Sequence, residues 1–401
     1  MLIKLKNNSN NYLILLLSLF VIFNFLYREI AYLVLILLIL YSLILGFLNG
    51  IKLEQNDYVL IFLIIFFAIW LWIALFLHES DLRYIDDYMR LVYLLPLYFV
   101  FSKININFED RFIKAIKIAA MCALGHYMYF IATNNEGIFE IQRYGGTSST
   151  AITFAFLSAT MLILCFYFFL KNLDKKTDYV LFLSSLIFFL LYSQTETKGL
   201  LPGIIICLVL IVYWFKPKKT IIIISLVPLM YIFLSSDISQ RVQKTIDFFD
   251  VYTSENTNKS LKEIYRSDES TYTRIQLINY GLDTIKNNPY IGLGPQNLEE
   301  DLYKKMDYYN MLTTIKFGHL HNDFIDIGVK FGIPSLILLI LIYYTLLKNY
   351  ASRNNKICLL ILILFIVGQM TQSHFTHNQA ITFFLTLLYC LSGQNSSNKK
   401  A

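Results

Sequence analysis

Long apolar runs separated by short polar ones dominate the chain. Runs near or above the roughly 17–25 residues that cross a bilayer as helix recur along nearly all of its 401 residues. They predict twelve spans, at 12–27, 30–49, 58–77, 91–102, 115–133 and 151–170, then 179–193, 200–215, 220–235, 327–347, 357–373 and 378–392. One connection breaks this rhythm. Residues 236–318 form a polar excursion, within which "DISQRVQKTIDFFDVY" and "TYTRIQLINYGLDTIKNN" carry helical spacing. The pattern predicts an all-α integral membrane protein of about twelve transmembrane helices, with a large, partly helical loop between helices 9 and 10. Three regions follow: 1–235, an N-terminal bundle of about nine helices; 236–320, a loop or cap; and 321–401, C-terminal helices with a tail.

Composition points the same way. The chain is 56% hydrophobic and only 15% charged, where a soluble domain carries far more charge. All five cysteines lie in apolar runs, so there is neither a disulfide framework nor a Cys-based metal spacing. The charged start and apolar stretch of "MLIKLKNNSNNYLILLLSLF" mimic a signal peptide but lack a small-residue cleavage site, which predicts a retained first helix. There is no Gly-rich phosphate loop, no activated Ser or Cys setting and no basic-aromatic nucleic-acid surface.

The net charge of +6 is a matter of topology. With the N-terminus in the cytoplasm, the tails and even-numbered loops hold 17 Lys and Arg, and the short odd-numbered loops hold 5. That is a positive-inside distribution, with both termini cytoplasmic. The cap, with ten Lys and Arg against twelve Asp and Glu, is too long for the charge rule and lies outside by helix parity.

The outer side also collects the unusual residues. Five of the six histidines fall there: His78, His319, His321, His374 and His377. So do Arg90, Arg143 and Lys198 near helix ends, and Arg241 and Arg274 in the cap. One such cation reads as a snorkelling side chain. Several gathered opposite the positive-inside bias read as a surface for an anionic headgroup, above all a pyrophosphate. Arg274 heads an apolar stripe with Leu277 or Ile278, then Gly281 or Leu282, then Ile285. Its tip either escapes to water or binds a ligand.

In "GHLHNDFIDIGVKFG" (318–332), Asn322, Asp326 and Lys330 share one helical face, as expected of an interfacial helix that becomes a span at Gly332-Ile333-Pro334. Its histidines either cap that helix or supply a general base, a role neutral imidazole fills near pH 7. Two patterns suggest metal. Glu299 and Asp301 in "LEEDLYKKMD" read better as a solvated helix face, and His374 with His377 lacks a third ligand nearby. No metal or other cofactor is expected.

Four segments carry a family likeness: "HLHNDFIDIGVKFG", with His321, Asn322 and Gly332; "RIQLINYGLDTIKNNPYIGLGPQNL", with Arg274, Pro289, Gly292 and Gly294; and two helix starts with a basic residue, "RYGGTSSTA" and "SQTETKGLL". In these motifs and their order the chain resembles the O-antigen ligases, within the wider family of ligases and polymerases. It departs at Gly332-Ile333-Pro334-Ser335, where that family often continues Gly-x-x-Gly, and at Lys198, where an arginine is usual.

The resemblance implies a GT-C-like fold with a periplasmic cap and active site, in the bacterial inner membrane. It implies metal-independent, inverting transfer of O-antigen from undecaprenyl pyrophosphate to a sugar of lipid A-core. His321 would be the general base. Arg143, Lys198 and Arg274 would bind the donor pyrophosphate, with His319, Asn322, Arg90 and Arg241 supporting. The partners are the two glycolipids and the bilayer, with no nucleic acid. The O-antigen polymerase is the nearest alternative; a protein O-oligosaccharyltransferase and a non-enzymatic polysaccharide flippase or transporter stand further off.

Overall fold

The structure, a computed structural model, describes residues 2–49, 55–103, 109–134, 144–148, 150–173, 178–216, 243–244, 246–248, 268–306, 308–309 and 318–393. The N-terminal helices are α1 (Leu2–Asn24), α2 (Arg28–Asn49), α3 (Gln55–Leu77), α4 (Asp86–Tyr93) and α5 (Leu95–Lys103). Next come α6 (Glu109–Asn134), α7 (Ala151–Lys171), α8 (Tyr179–Gln194) and α9 (Leu201–Phe215). The cap contributes α10 (Glu269–Asn287) and α11 (Leu298–Lys305), followed by α12 (Asp323–Ser352), α13 (Lys356–Gln369) and α14 (Asn378–Cys390). The described residues contain no strand. Among the described residues, five helices are long and apolar enough to cross a membrane, and five further apolar helices are shorter.

Two kinds of helix make the bundle. On α2 and α3, Leu33, Ile36, Leu40, Phe62, Phe66, Trp72 and Phe76 stay exposed. Water would penalise so continuous an apolar flank; acyl chains do not. Helix α7 is the opposite case, buried on every side from Thr153 to Leu170, as a helix apolar all round must be in a large core. Its Phe156 packs edge-on against Phe365 of α13 and Phe384 of α14.

Several predicted spans take a different form. The span at 91–102 is two helices, α4 and α5, that meet at Leu94, because Pro96 has no N–H to continue the ladder. The span expected at 357–373 stops at Gln369, which leaves Met370–Ser373 as a loop. The span at 327–347 extends to 323–352 but is broken inside, at Gly332. The predicted helix at 220–235 and the cap's "DISQRVQKTIDFFDVY" lie largely outside the described residues.

Helices α3 and α12 run antiparallel and define two rims. At one rim Asp57, fully buried at the start of α3, accepts hydrogen bonds from Tyr98 Oη (2.7 Å) and Arg353 Nη2 (3.2 Å) and pairs with Lys103 Nζ (2.7 Å). Lys171 pairs with Glu109 at 2.5 Å, and Lys117 with Asp178. All four of these cations come from loops or helix ends that the sequence assigns to the positive side. Towards the other rim Trp70 Nε1 donates to Phe331 O at 2.9 Å. There the histidines gather.

Candidate active site

The site is built around the break in α12. Gly332 has φ +82° and ψ 173°, a conformation essentially confined to glycine. The break withdraws helical partners from the carbonyls just before it. Those carbonyls are met by the turn that follows α10. Leu293 N–H donates to Val329 O (2.7 Å), Gly294 N–H to Lys330 O (3.2 Å), and Ile333 N–H to Pro289 O (2.8 Å). The approach leaves no room for side chains: a Cβ on Gly332 would lie 1.9 Å from Tyr290 O, and one on Gly292 lies 2.6 Å from the Lys330 backbone. Pro334 then sits at the start of the second half of α12, where a missing N–H costs little.

This joint lays α10 against the first half of α12, with Leu277, Tyr280, Leu320 and Val329 in one apolar cluster. Within the Arg274 stripe, Leu277 and Gly281 point inward and Leu282 outward. Arg274 is thereby delivered to the mouth of α12, close enough that its charge acts on His321.

Asn322 is the N-cap of α12. Its Oδ1 accepts from Phe324 N–H (3.1 Å) and Ile325 N–H (3.2 Å), and its Nδ2 donates to Met370 O (2.9 Å). His321, just before it, has φ +54°, a strained left-handed backbone for a non-glycine residue. Its ring lies edge-on to that of His319 at 4.5 Å, and its Nδ1 is 3.3 Å from Gln372 Oε1. His377 lies 6.4 Å beyond His319.

Asp326 and Lys330 correct the sequence reading. They form the expected i, i+4 pair, Oδ2 to Nζ 2.6 Å, but not on an interfacial surface: their side chains are 0% and 8% exposed. The other Asp326 oxygen accepts from Leu320 N–H at 3.1 Å, which ties down the residue between the two histidines. Removing one partner of such a buried pair costs about 3–5 kcal/mol.

Burial, then the charges of His319 and Arg274, push His321 down to about 4; its bond to Gln372 and the Asp326 charge oppose this. Burial, then Lys330 and His377, push His319 to about 4 as well. Both imidazoles are neutral at pH 7. His374 stands apart: it is fully buried between Phe156 and Phe365, and among the described residues neither ring nitrogen has a hydrogen-bond partner.

The remaining candidates divide. Gly199, next to Lys198, accepts a bond from Thr371 Oγ1 at 2.8 Å, so the Lys198 segment abuts the Gln372 loop. Arg143 and Arg241 lie outside the described residues. Tyr144 N–H donates to Gln194 O at 2.9 Å, so the chain leaving Arg143 passes the end of α8, close in sequence to Lys198. Arg90 is engaged by Asp86 (3.0 Å), Asp87 (3.6 Å) and Thr382 Oγ1 (2.5 Å), pinning α4 to α14. Asp301 accepts from Tyr280 Oη (2.8 Å) and Lys305 (2.9 Å), while Glu300 pairs with Lys304; this is a mixed-charge helix face. Gln372 was not singled out in the sequence. Its only signal there is its place in the polar break "GQMTQSHFTHN" between two apolar runs.

Lipid-facing helices, a partly helical cap and a rim of histidines with an arginine define a multi-pass helical membrane protein. Residues 179–340, a stretch that holds Lys198, Arg274 and His321, match the family model described as O-Antigen ligase. Over 357 residues the chain is 26% identical to an "Uncharacterized protein" of Haemophilus influenzae, covering 84% of this chain and 86% of the relative. It is also 26% identical over 205 residues to an "O-antigen ligase" of Escherichia coli, spanning 48% of this chain and 46% of that one.

Proposed function

We propose that the protein is a membrane glycosyltransferase that moves O-antigen from undecaprenyl pyrophosphate to a sugar of lipid A-core, on the periplasmic face of the bacterial inner membrane. The observation that carries this reading is the placing of His321, half-buried at the mouth of α12 with its ring 4.5 Å from that of His319 and within the field of Arg274, which helps to keep it neutral. A sugar hydroxyl is a poor nucleophile and gains from a base, which His321 supplies. The acceptor oxygen attacks the anomeric carbon from the face opposite the leaving group. The bond to pyrophosphate breaks with inversion, and the proton ends on the imidazole. Pyrophosphate needs charge stabilisation rather than a proton, and Arg274, Lys198 and Arg143 are the cations for it. Arrival of this anion offsets the positive field that holds His321 down, so donor binding strengthens the base.

The same reading includes a metal-independent reaction, twelve membrane helices, cytoplasmic termini and the division at 1–235, 236–320 and 321–401. His319 and Asn322 orient the base, and Arg90 supports the bundle. In lipid-reconstituted protein, His321→Ala is expected to lower transfer about 10²–10⁴-fold, and Arg274→Ala about 10²–10³-fold. Arg274→Lys restores little, because a point charge does not replace a planar fork. Normal transfer by His321→Ala overturns the base role. The glycolipids of a deletion strain separate ligase from polymerase: long lipid-linked polymer with bare core marks the ligase, and core bearing a single repeat marks the polymerase.

A further inference from the structure

We propose that Gln372 is the positioning residue for His321: its carboxamide oxygen accepts the Nδ1 proton and fixes the tautomer whose lone pair lies on Nε2. This rests on His321 being the base. The facing atom of Gln372 is Oε1, 3.3 Å from Nδ1, and a carbonyl oxygen only accepts. A neutral imidazole carries one N–H, so a hydrogen on Nδ1 leaves Nε2 as the proton acceptor. The contact is at the long end of hydrogen-bond range, as bonds that tighten in the reacting complex often are.

The loop that carries Gln372 is held on both sides. Met370 O accepts from Asn322, the residue after His321. Thr371 Oγ1 donates to Gly199 O, beside Lys198. Gln372 N–H donates to Gly368 O at 3.0 Å, and the residue is 4% exposed. Residues 370–372 are thus a strut between the imidazole and the Lys198 segment. The backbone of His321, at φ +54°, persists only where its surroundings over-determine it, and the bonds at Leu320 and Asn322 do so on either side.

An uncharged orienter also suits the chemistry. Among the described residues, the charged or titratable groups that act on His321 include His319, Arg274 of α10 and Asp326 of α12, with Lys330 and His377 acting on His319. A carboxylate at position 372 would compete with an anionic donor for the same cations. A carboxamide holds the ring and leaves the field positive.

The test uses the full chain in lipid nanodiscs with ¹⁵N-labelled histidine, and His321→Ala assigns the His321 signals. The expected spectrum has His321 protonated on Nδ1, with mixed tautomers in Gln372→Ala. Gln372→Ala is expected to lower kcat about 10–100-fold, the range for loss of an orienting partner, with KM for the donor unchanged. Gln372→Glu is expected to recover most of that loss and bring an acid limb of the pH–rate profile into the neutral range. A residue that only packs would change stability in both variants without moving that limb. An Nε2-protonated His321, or wild-type kcat in Gln372→Ala, overturns the assignment. Normal transfer by His321→Ala overturns the base reading itself, a failure seen without any change at Gln372.

Discussion

At the scale of single residues, the sign of the histidine shifts fixes how the protein responds to acid. His319 and His321 are held near 4, against about 6.5 for an unperturbed histidine. Between those values the unfolded chain binds more protons than the folded one. Stability is therefore fully present above about pH 6.5 and falls as pH drops towards 4. Catalysis, with His321 as the proposed base, follows the folded-state value alone. In steady-state transfer assays, kcat/KM is expected to stay flat from pH 8 down to about 5.5, because the free enzyme keeps its base neutral. An acid limb centred near 6.5 would mean that the base lies in a wetter, less cationic setting. His321 and Arg274 were legible in the sequence because their types are out of place beside apolar runs. Gln372 was not, because its contact with His321 spans 51 positions, and an isolated glutamine carries no spacing to read.

Among the elements, the broken α12 carries the most consequence. Gly332→Ala places a Cβ on the carbonyl of Tyr290 and demands a backbone conformation other residues avoid. The backbone alone costs about 1–3 kcal/mol, and the overlap forces the cap turn away. Thermal unfolding in detergent is expected to show a clear loss of stability, and transfer should fall further than stability does, because Arg274 shifts with the turn. Unchanged unfolding would mean that the turn does not dock at the break. The Gly332-Ile333-Pro334 signal was readable as the start of a span. That Asp326 and Lys330 are covered was not: an i, i+4 spacing looks the same whether water or protein lies over it. The division of α4 from α5 escaped for a related reason, since a hydropathy window averages across Pro96.

For the whole molecule, two rims of opposite character predict an orientation. Tyr290, 76% exposed, stands at the histidine rim, and Ser352, exposed at the end of α12, stands at the rim of Asp57 and Arg353. In intact spheroplasts, Tyr290→Cys is expected to react with a membrane-impermeant maleimide, whereas Ser352→Cys reacts only after permeabilisation. The native cysteines give little background, since four of the five are buried. The reverse pattern would invert the topology and place the histidines in the cytoplasm. The expected orientation comes from Lys and Arg counts, because loop charge is a property of the whole chain. How the cap folds depends on contacts among its own distant parts, which no local pattern records. The joint between cap and bundle has a last implication. Its tightest part is main chain to main chain, at Leu293, Gly294 and Ile333, and the inward side chains of α10 pack behind it. Side chains of α10 that point away from α12, such as Leu282, are therefore at liberty to vary while the registry of the two helices is kept.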